Sequence, residues 1–196
     1  MSTAPRRKPA TYEDLLQVPD HMVAEILDGE LFASPRPAFP HARAASGLGG
    51  LLFEKFDRPA GGGEGPGGWW ILDEPELHLS DDVVVPDLAG WRRERLPTFP
   101  SVAWLDLSPD WVCEVASPST EAIDRGRKLR IYAREGVGHL WLLNPKLRTL
   151  EVYRRSDANW IVVETFVGNE TVRAEPFDEV QLEMARWWPP EAPETS

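Results

Sequence analysis

Short runs of apolar residues, separated by Gly, Pro and Asp, set the rhythm of this chain. The segment "VAEIL-DG-ELFAS" places Asp28-Gly29 between two apolar-rich arms. Both residues tolerate the positive φ of a type I′ turn, so the pattern predicts a β-hairpin with Glu25 on its first strand. Upstream, "TYED" is a capping-box pattern opening a short helix through "LLQV", which Pro19 ends. His41 to Phe56 reads as a second helix, weakened by three glycines, and "DRPAGGGEGPGG" after it reads as a loop. That loop lacks the Gly-Lys-Ser/Thr ending of a phosphate-binding loop.

Further along, "WWILDEPELHLS" and "DDVVVPDLAGW" read as two strands joined by a short polar turn, with Pro86-Asp87 closing the "VVV" run. A Pro-rich connection leads to the strand "WVCEVA" and then to a helix. That helix has Ser119 or Thr120 as candidate cap, Glu121 in its first turn and Gly136 just past its end. "HLWLLNPKLRTLEVYRR" and "WIVVETFVGNETVRAE" predict two further hairpin-like pairs, and "EVQLEMARWW" a short closing helix. Strands and helices thus alternate irregularly, with no internal repeat and no inserted second domain. One domain over 11–188 is expected, with flexible ends at 1–10 and 189–196.

Composition narrows the setting. At 196 residues, 42% hydrophobic and 10% aromatic, the chain can enclose one ordinary core. Its single cysteine, Cys113, excludes an internal disulfide framework and a multi-thiolate zinc site, which fits a reducing, cytoplasmic compartment. The N-terminus has no apolar run of the signal-peptide kind, and no segment approaches the roughly 20 apolar residues of a membrane span. A net charge of -11 works against nonspecific attraction to nucleic acid. One basic window, Asp124 to Glu135, sets five basic residues against two acids, the usual composition of a solvated helix face.

The chemistry gathers at unusual acids. Glu114 interrupts an apolar strand on the face it shares with Val112 and Ala116. A buried, unpaired carboxylate costs several kcal/mol, so Glu114 requires a cation, a hydrogen-bond network, a metal or an open sheet end. Asp87 ends its own apolar strand and poses the same question. On the following helix Asp124, Lys128 and Tyr132 stand at i, i+4 and i+8, beside the apolar stripe of Ala122, Leu129 and Ala133. Two carboxylates can hold a hard divalent cation, and a nearby lysine can orient water or stabilise charge on a phosphate. Plainer roles are available to each. Asp87 can cap a turn, Glu114 can pair with Arg92, Arg93 or Arg127, Lys128 can pair with Asp124, Tyr132 can simply pack, and Glu25 can be solvated beside its turn. His41 would cap or line the cleft. The four histidines show no i,i+4 pair of the zinc-hydrolase kind, and the pairs Trp69-Trp70 and Trp187-Trp188 are candidates for a dimer surface.

Together, "VVVPDLAGW" and "DWVCEVASPST…DRGRKLRIYAREGVGHLWLLNP" resemble the Uma-two family of bacterial endonucleases within the PD-(D/E)XK nuclease superfamily. The resemblance runs from the "AEILDGEL" hairpin to "RTLEVYR". It implies a restriction-endonuclease-like fold, a central mixed β-sheet flanked by helices, often as a homodimer. It also implies a Mg²⁺- or Mn²⁺-dependent DNA endonuclease with Asp87 and Glu114 as metal ligands and Glu25 as an additional ligand or orienting group. The superfamily lysine two positions after the second acid is replaced here by Ala116, and Lys128 on the helix takes that role in the pattern. Two competing readings are a catalytically degenerate dimeric binding protein and a hydrolase acting on another phosphorylated or glycosidic substrate.

Overall fold

The computed structural model describes residues 8–62 and 65–190, so the expected flexible ends fall mainly outside the described residues. In chain order the elements are α1 (Tyr12–Leu15), β1 (Met22–Leu27), β2 (Glu30–Pro35), α2 (Phe39–Phe56), β3 (Trp69–Asp73), β4 (Glu76–Leu79), β5 (Asp82–Val84), β6 (Leu88–Arg92), β7 (Trp104–Leu105) and β8 (Trp111–Val115). They continue with α3 (Glu121–Ile123), a π-helical turn (Asp124–Lys128), α4 (Leu129–Arg134), β9 (His139–Asn144), β10 (Thr149–Ser156), β11 (Asn159–Val167), β12 (Thr171–Val172), β13 (Leu182–Glu183) and a 3₁₀ turn (Met184–Arg186). Among the described residues no helix is long and apolar enough to cross a membrane.

The architecture is the expected mixed α/β one. A six-stranded sheet runs β11-β10-β9-β8-β6-β3, a five-stranded sheet runs β2-β1-β5-β4-β7, and β12 pairs with β13. Strands β8 and β9 are parallel, joined by the helical crossover, while most other neighbours are antiparallel. The central strands β6, β8 and β9 of the larger sheet are covered on both faces, which is why they read as nearly continuous apolar runs. One face, with Trp69, Trp111, Trp141 and Leu143, packs on α2 residues Leu48 and Leu52 and on Phe177. The other, with Val112, Leu140 and Leu142, meets Ile131 and Tyr132 of α4 and Leu77 and Val84 of the smaller sheet.

Several local expectations hold. Thr11 and Asp14 form the capping box at α1. Asp28 and Gly29 both have positive φ in the β1-β2 turn, and Gly136 has positive φ just past α4.

Others need correction. The two strands expected from Trp69 to Trp91 are four, because each breaks at a proline. Glu74 (φ 44°) precedes Pro75, and Pro86 has no N–H with which to continue a ladder. The outer halves, β3 and β6, pair in the six-stranded sheet, Asp73 opposite Leu88, and the inner halves, β4 and β5, pair in the five-stranded one, Leu77 opposite Val84. Glu74 N–H donates to the Asp87 carbonyl (3.1 Å), tying the two corners together.

At the C-terminal end β12 pairs with β13 rather than with β11, and the closing helix is only a 3₁₀ turn. Trp69, Trp187 and Trp188 are buried in the core, and Trp70 is partly buried with its indole N–H on the Leu96 carbonyl, so the tryptophan pairs form no docking surface. The cap expected at Ser119 or Thr120 also differs: Thr120 holds the N-cap position, but its side chain makes no capping bond.

Candidate active site

The corner at Pro86 determines how Asp87 is presented. Register pairs Leu88 with Cys113, so the residues preceding Leu88 leave the ladder just where β8 still needs an acceptor. The Asp87 carboxylate supplies it: Oδ2 accepts from Val115 N–H (2.6 Å), and Oδ1 lies 2.6 Å from His41 Nε2. His41 comes from the first turns of α2, on the inward stripe of Ala44, Leu48 and Leu52.

Glu114 lies on the other side of the same strand end, 2% exposed. None of Arg92, Arg93 and Arg127 pairs with it. Arg93 engages Asp57, Arg127 engages Glu30, and Arg92 lies over the ring of Trp69. Its partners are Lys128, at 3.0 Å from Oε1 and 3.2 Å from Oε2, and Tyr132, whose hydroxyl donates to Oε1 (2.5 Å). Tyr132 is therefore both a packing residue and a hydrogen-bond donor to the site.

Lys128 is almost fully buried and uses its three protons on Glu114, on Glu25 (2.9 Å) and on the Val85 carbonyl (3.1 Å). The expected Asp124–Lys128 pair exists at a looser 3.8 Å, with both partners buried. Glu25, on β1, also accepts from Val85 N–H (2.8 Å). It is not the solvated strand acid that its position beside the turn allowed.

The helix achieves this delivery through its π turn. Positions four apart in an α-helix drift around the axis, and a wider turn over Asp124–Lys128 brings Asp124, Lys128 and Tyr132 back to one inward face. Gly126, a weak helix former, sits inside it. The basic window is correspondingly no open cationic face. Arg125 binds Glu121 and Glu151, Arg127 binds Glu30 and the Leu27 carbonyl, and Arg134 binds Asp82 and Glu135.

Glu25, His41, Asp87, Glu114, Asp124 and Lys128 line one cavity of about 220 Å³. Its electrostatics are dominated by burial. Burial pushes the Glu114 carboxyl well above the usual range; Lys128 opposes this, and Asp124, Asp87 and Glu25 reinforce it. Burial likewise pushes Asp124 up to about 6, again with Lys128 opposing. For Lys128 burial disfavours the charged amine, yet the surrounding carboxylates outweigh it and hold the amine charged well above its usual range. Tyr132 is raised by burial and by Glu114, which keeps its hydroxyl a donor.

Four carboxyls therefore face one lysine, an excess of hard oxygen donors and negative charge that suits a divalent cation. Among the described residues no three His, Cys, Asp or Glu side chains stand close enough to cage an ion unaided. A divalent cation here would be held by one or two of these carboxylates, with water and substrate phosphate completing its coordination.

Sequence reasoning placed Asp87, Glu114, Lys128 and Glu25, and these four come together. It left His41 and Tyr132 without a definite role. The inward spacing of His41 with Ala44 and Leu48 is the signal that could have found the first.

The chain is similar over 92% of its length to 98% of a solved chain described as a "putative nuclease belonging to DUF820" from Anabaena variabilis, with a TM-score of 0.74 and 20% identity, a likeness of fold. No curated protein matches it. The family model Uma2, "Putative restriction endonuclease", matches residues 9–185, and the chain belongs to that family.

Proposed function

We propose that this protein is a Mg²⁺- or Mn²⁺-dependent endonuclease that hydrolyses phosphodiester bonds in DNA. The observation that carries the reading is the convergence of Glu25, Asp87, Glu114 and Lys128, from three separate elements and the corner before β6, on one cavity. Asp87 and Glu114 would hold the cation. When bound, it supplies Lewis acidity toward a phosphoryl oxygen and lowers the pKa of a coordinated water.

The chain's own residues supply position and charge. Lys128, kept charged by Glu114 and Glu25, offers a fixed cation to a phosphate oxygen or orients the attacking water. Glu25 fixes that amine through a 2.9 Å pair and is itself fixed by Val85 N–H. Tyr132 fixes the rotamer of Glu114. A cytoplasmic homodimer built on a single domain over 11–188 completes the reading, on the family resemblance and the lone cysteine.

The test is cleavage of supercoiled and single-stranded DNA with Mn²⁺ or Mg²⁺, comparing wild type with Asp87→Ala, Glu114→Ala and Lys128→Ala. Each variant is expected to lose at least about a hundredfold in rate, about 2.7 kcal/mol of transition-state stabilisation, while circular dichroism verifies folding. Loss in the two acid variants alone would leave Lys128 a structural ion pair.

A second reading, a nuclease-fold binding protein without activity, is favoured by one observation: both oxygens of Asp87 and both of Glu114 already have protein partners. Wild type that neither cleaves nor melts higher with Mn²⁺ would select it.

A further inference from the structure

We propose that His41 is the positioning residue that sets the Asp87 carboxylate in the site. The kinetic part of this inference rests on the nuclease reading above, and the structural part does not. Asp87 sits at a corner where the chain has just left one ladder and Pro86 cannot hold it, so its backbone alone leaves the carboxylate free to rotate. Two contacts remove that freedom. Val115 N–H holds Oδ2 and His41 Nε2 holds Oδ1, both at 2.6 Å, fixing the carboxylate at both ends.

His41 is itself well suited to the task. Its side chain is only 10% exposed, and its Nδ1 is buried with no hydrogen-bond partner. The ring therefore makes a single committed bond. With an acceptor-only carboxylate opposite it, Nε2 carries a proton and donates to Oδ1.

The ring reaches the corner because α2 packs closely on the sheet. Gly49, eight residues along the same helix, lies so close to the sheet that an added Cβ would stand 3.0 Å from both Asp73 Oδ1 and Leu88 Cδ2. This close approach, one residue after Asp87 in the chain, brings the start of α2 within reach of the corner. Metal-ligating groups are commonly oriented by such outer hydrogen bonds, whose loss typically costs tenfold to a hundredfold in metal affinity or activity.

The experiment compares wild type with His41→Ala and with His41→Gln, whose amide N–H reaches about as far as Nε2. Three quantities are read: steady-state cleavage of DNA, the Mn²⁺ concentration at the midpoint of the metal-dependent rise in Tm, and hydrogen exchange of the Val115 amide without metal. His41→Ala is expected to lower kcat and raise the Mn²⁺ midpoint by about tenfold to a hundredfold with KM for DNA within about twofold. It is also expected to speed Val115 exchange by about tenfold or more, and His41→Gln to recover most of each change.

Folded His41→Ala with kcat, Mn²⁺ midpoint and Val115 exchange within about twofold of wild type would overturn the proposal. So would a Gln variant no better than Ala. If wild type neither cleaves nor responds to Mn²⁺, the nuclease reading fails, and the Val115 amide alone decides: accelerated exchange in Ala restored by Gln supports the positioning role, and unchanged exchange overturns it.

Discussion

The two faces of strand β8 make opposite uses of burial. On one, Trp111, Cys113 and Val115 join Trp141, Leu143 and Phe177 in a dry aromatic layer, where Trp111 meets Trp141 edge-on at 5.3 Å and Phe177 at 5.0 Å. On the other, Val112 continues the apolar packing, but the next residue on that face, Glu114, opens a buried network of Lys128, Glu25, Asp124 and Tyr132. The first face gains free energy simply by excluding water, of order 1.5–3 kcal/mol for each large side chain. The second must recover the desolvation of several charges through mutual pairing, which at best nearly balances. A single strand thus carries both the stability and the chemistry, and the charged face depends on the dry one to hold its geometry.

The largest effect should come from breaking the dry face. Trp141→Ala removes a fully buried ring and the bond from its indole N–H to the Glu175 carbonyl, and should cost about 3–5 kcal/mol in denaturant unfolding, equally at pH 5 and pH 8. A loss that changed strongly with pH would mean that the two faces are not separable.

The charged face should respond to pH instead. Asp124 and Glu114 both hold their protons more tightly in the folded state than in the unfolded chain. The native state therefore binds more protons once pH passes about 4, and their contribution to stability falls as pH rises, for Asp124 through about 6. Asp124→Asn removes that term. Relative to wild type the variant should gain about 2–3 kcal/mol between pH 4 and pH 7, measured from urea midpoints at each pH. Parallel pH profiles for the two proteins would show that Asp124 is not held protonated.

The smallest effect is expected at the helix surface. Arg125 pairs with Glu121 and Glu151 in partly exposed positions, so Arg125→Ala should change stability by less than about 1 kcal/mol and leave cleavage unaltered. A large loss of DNA cleavage in this variant would restore the basic window as a substrate-binding face.

Much of this arrangement was legible in the chain. The Asp28-Gly29 hairpin, the capping box at Thr11 and the Gly136 helix stop rest on local φ preferences and short-range hydrogen bonds, and all three appear. Glu114 stood out because an acid in an apolar strand demands a partner, and Lys128 because its spacing turns it toward that strand.

Less was legible where partners are distant. Pro75 and Pro86 signal breaks, but not that the halves would enter different sheets, since that depends on which strands come to lie alongside them. The tryptophan pairs looked available for a surface because composition does not reveal which side a sheet will cover. The C-terminal segment from Glu179 carries a helical pattern that pairing with β12 overrides.

By itself the sequence determined most element types, the local turns and the identities of the acids and the lysine, because propensity, periodicity and the cost of burying charge act over a few residues. The tertiary structure alone decided that Lys128 answers Glu114 and Glu25 together, that Tyr132 completes the network, and that His41 reaches Asp87. Those contacts join residues 14 to 103 positions apart, and they exist only because two sheets, α2 and a widened helical turn pack to within hydrogen-bonding distance of one strand end.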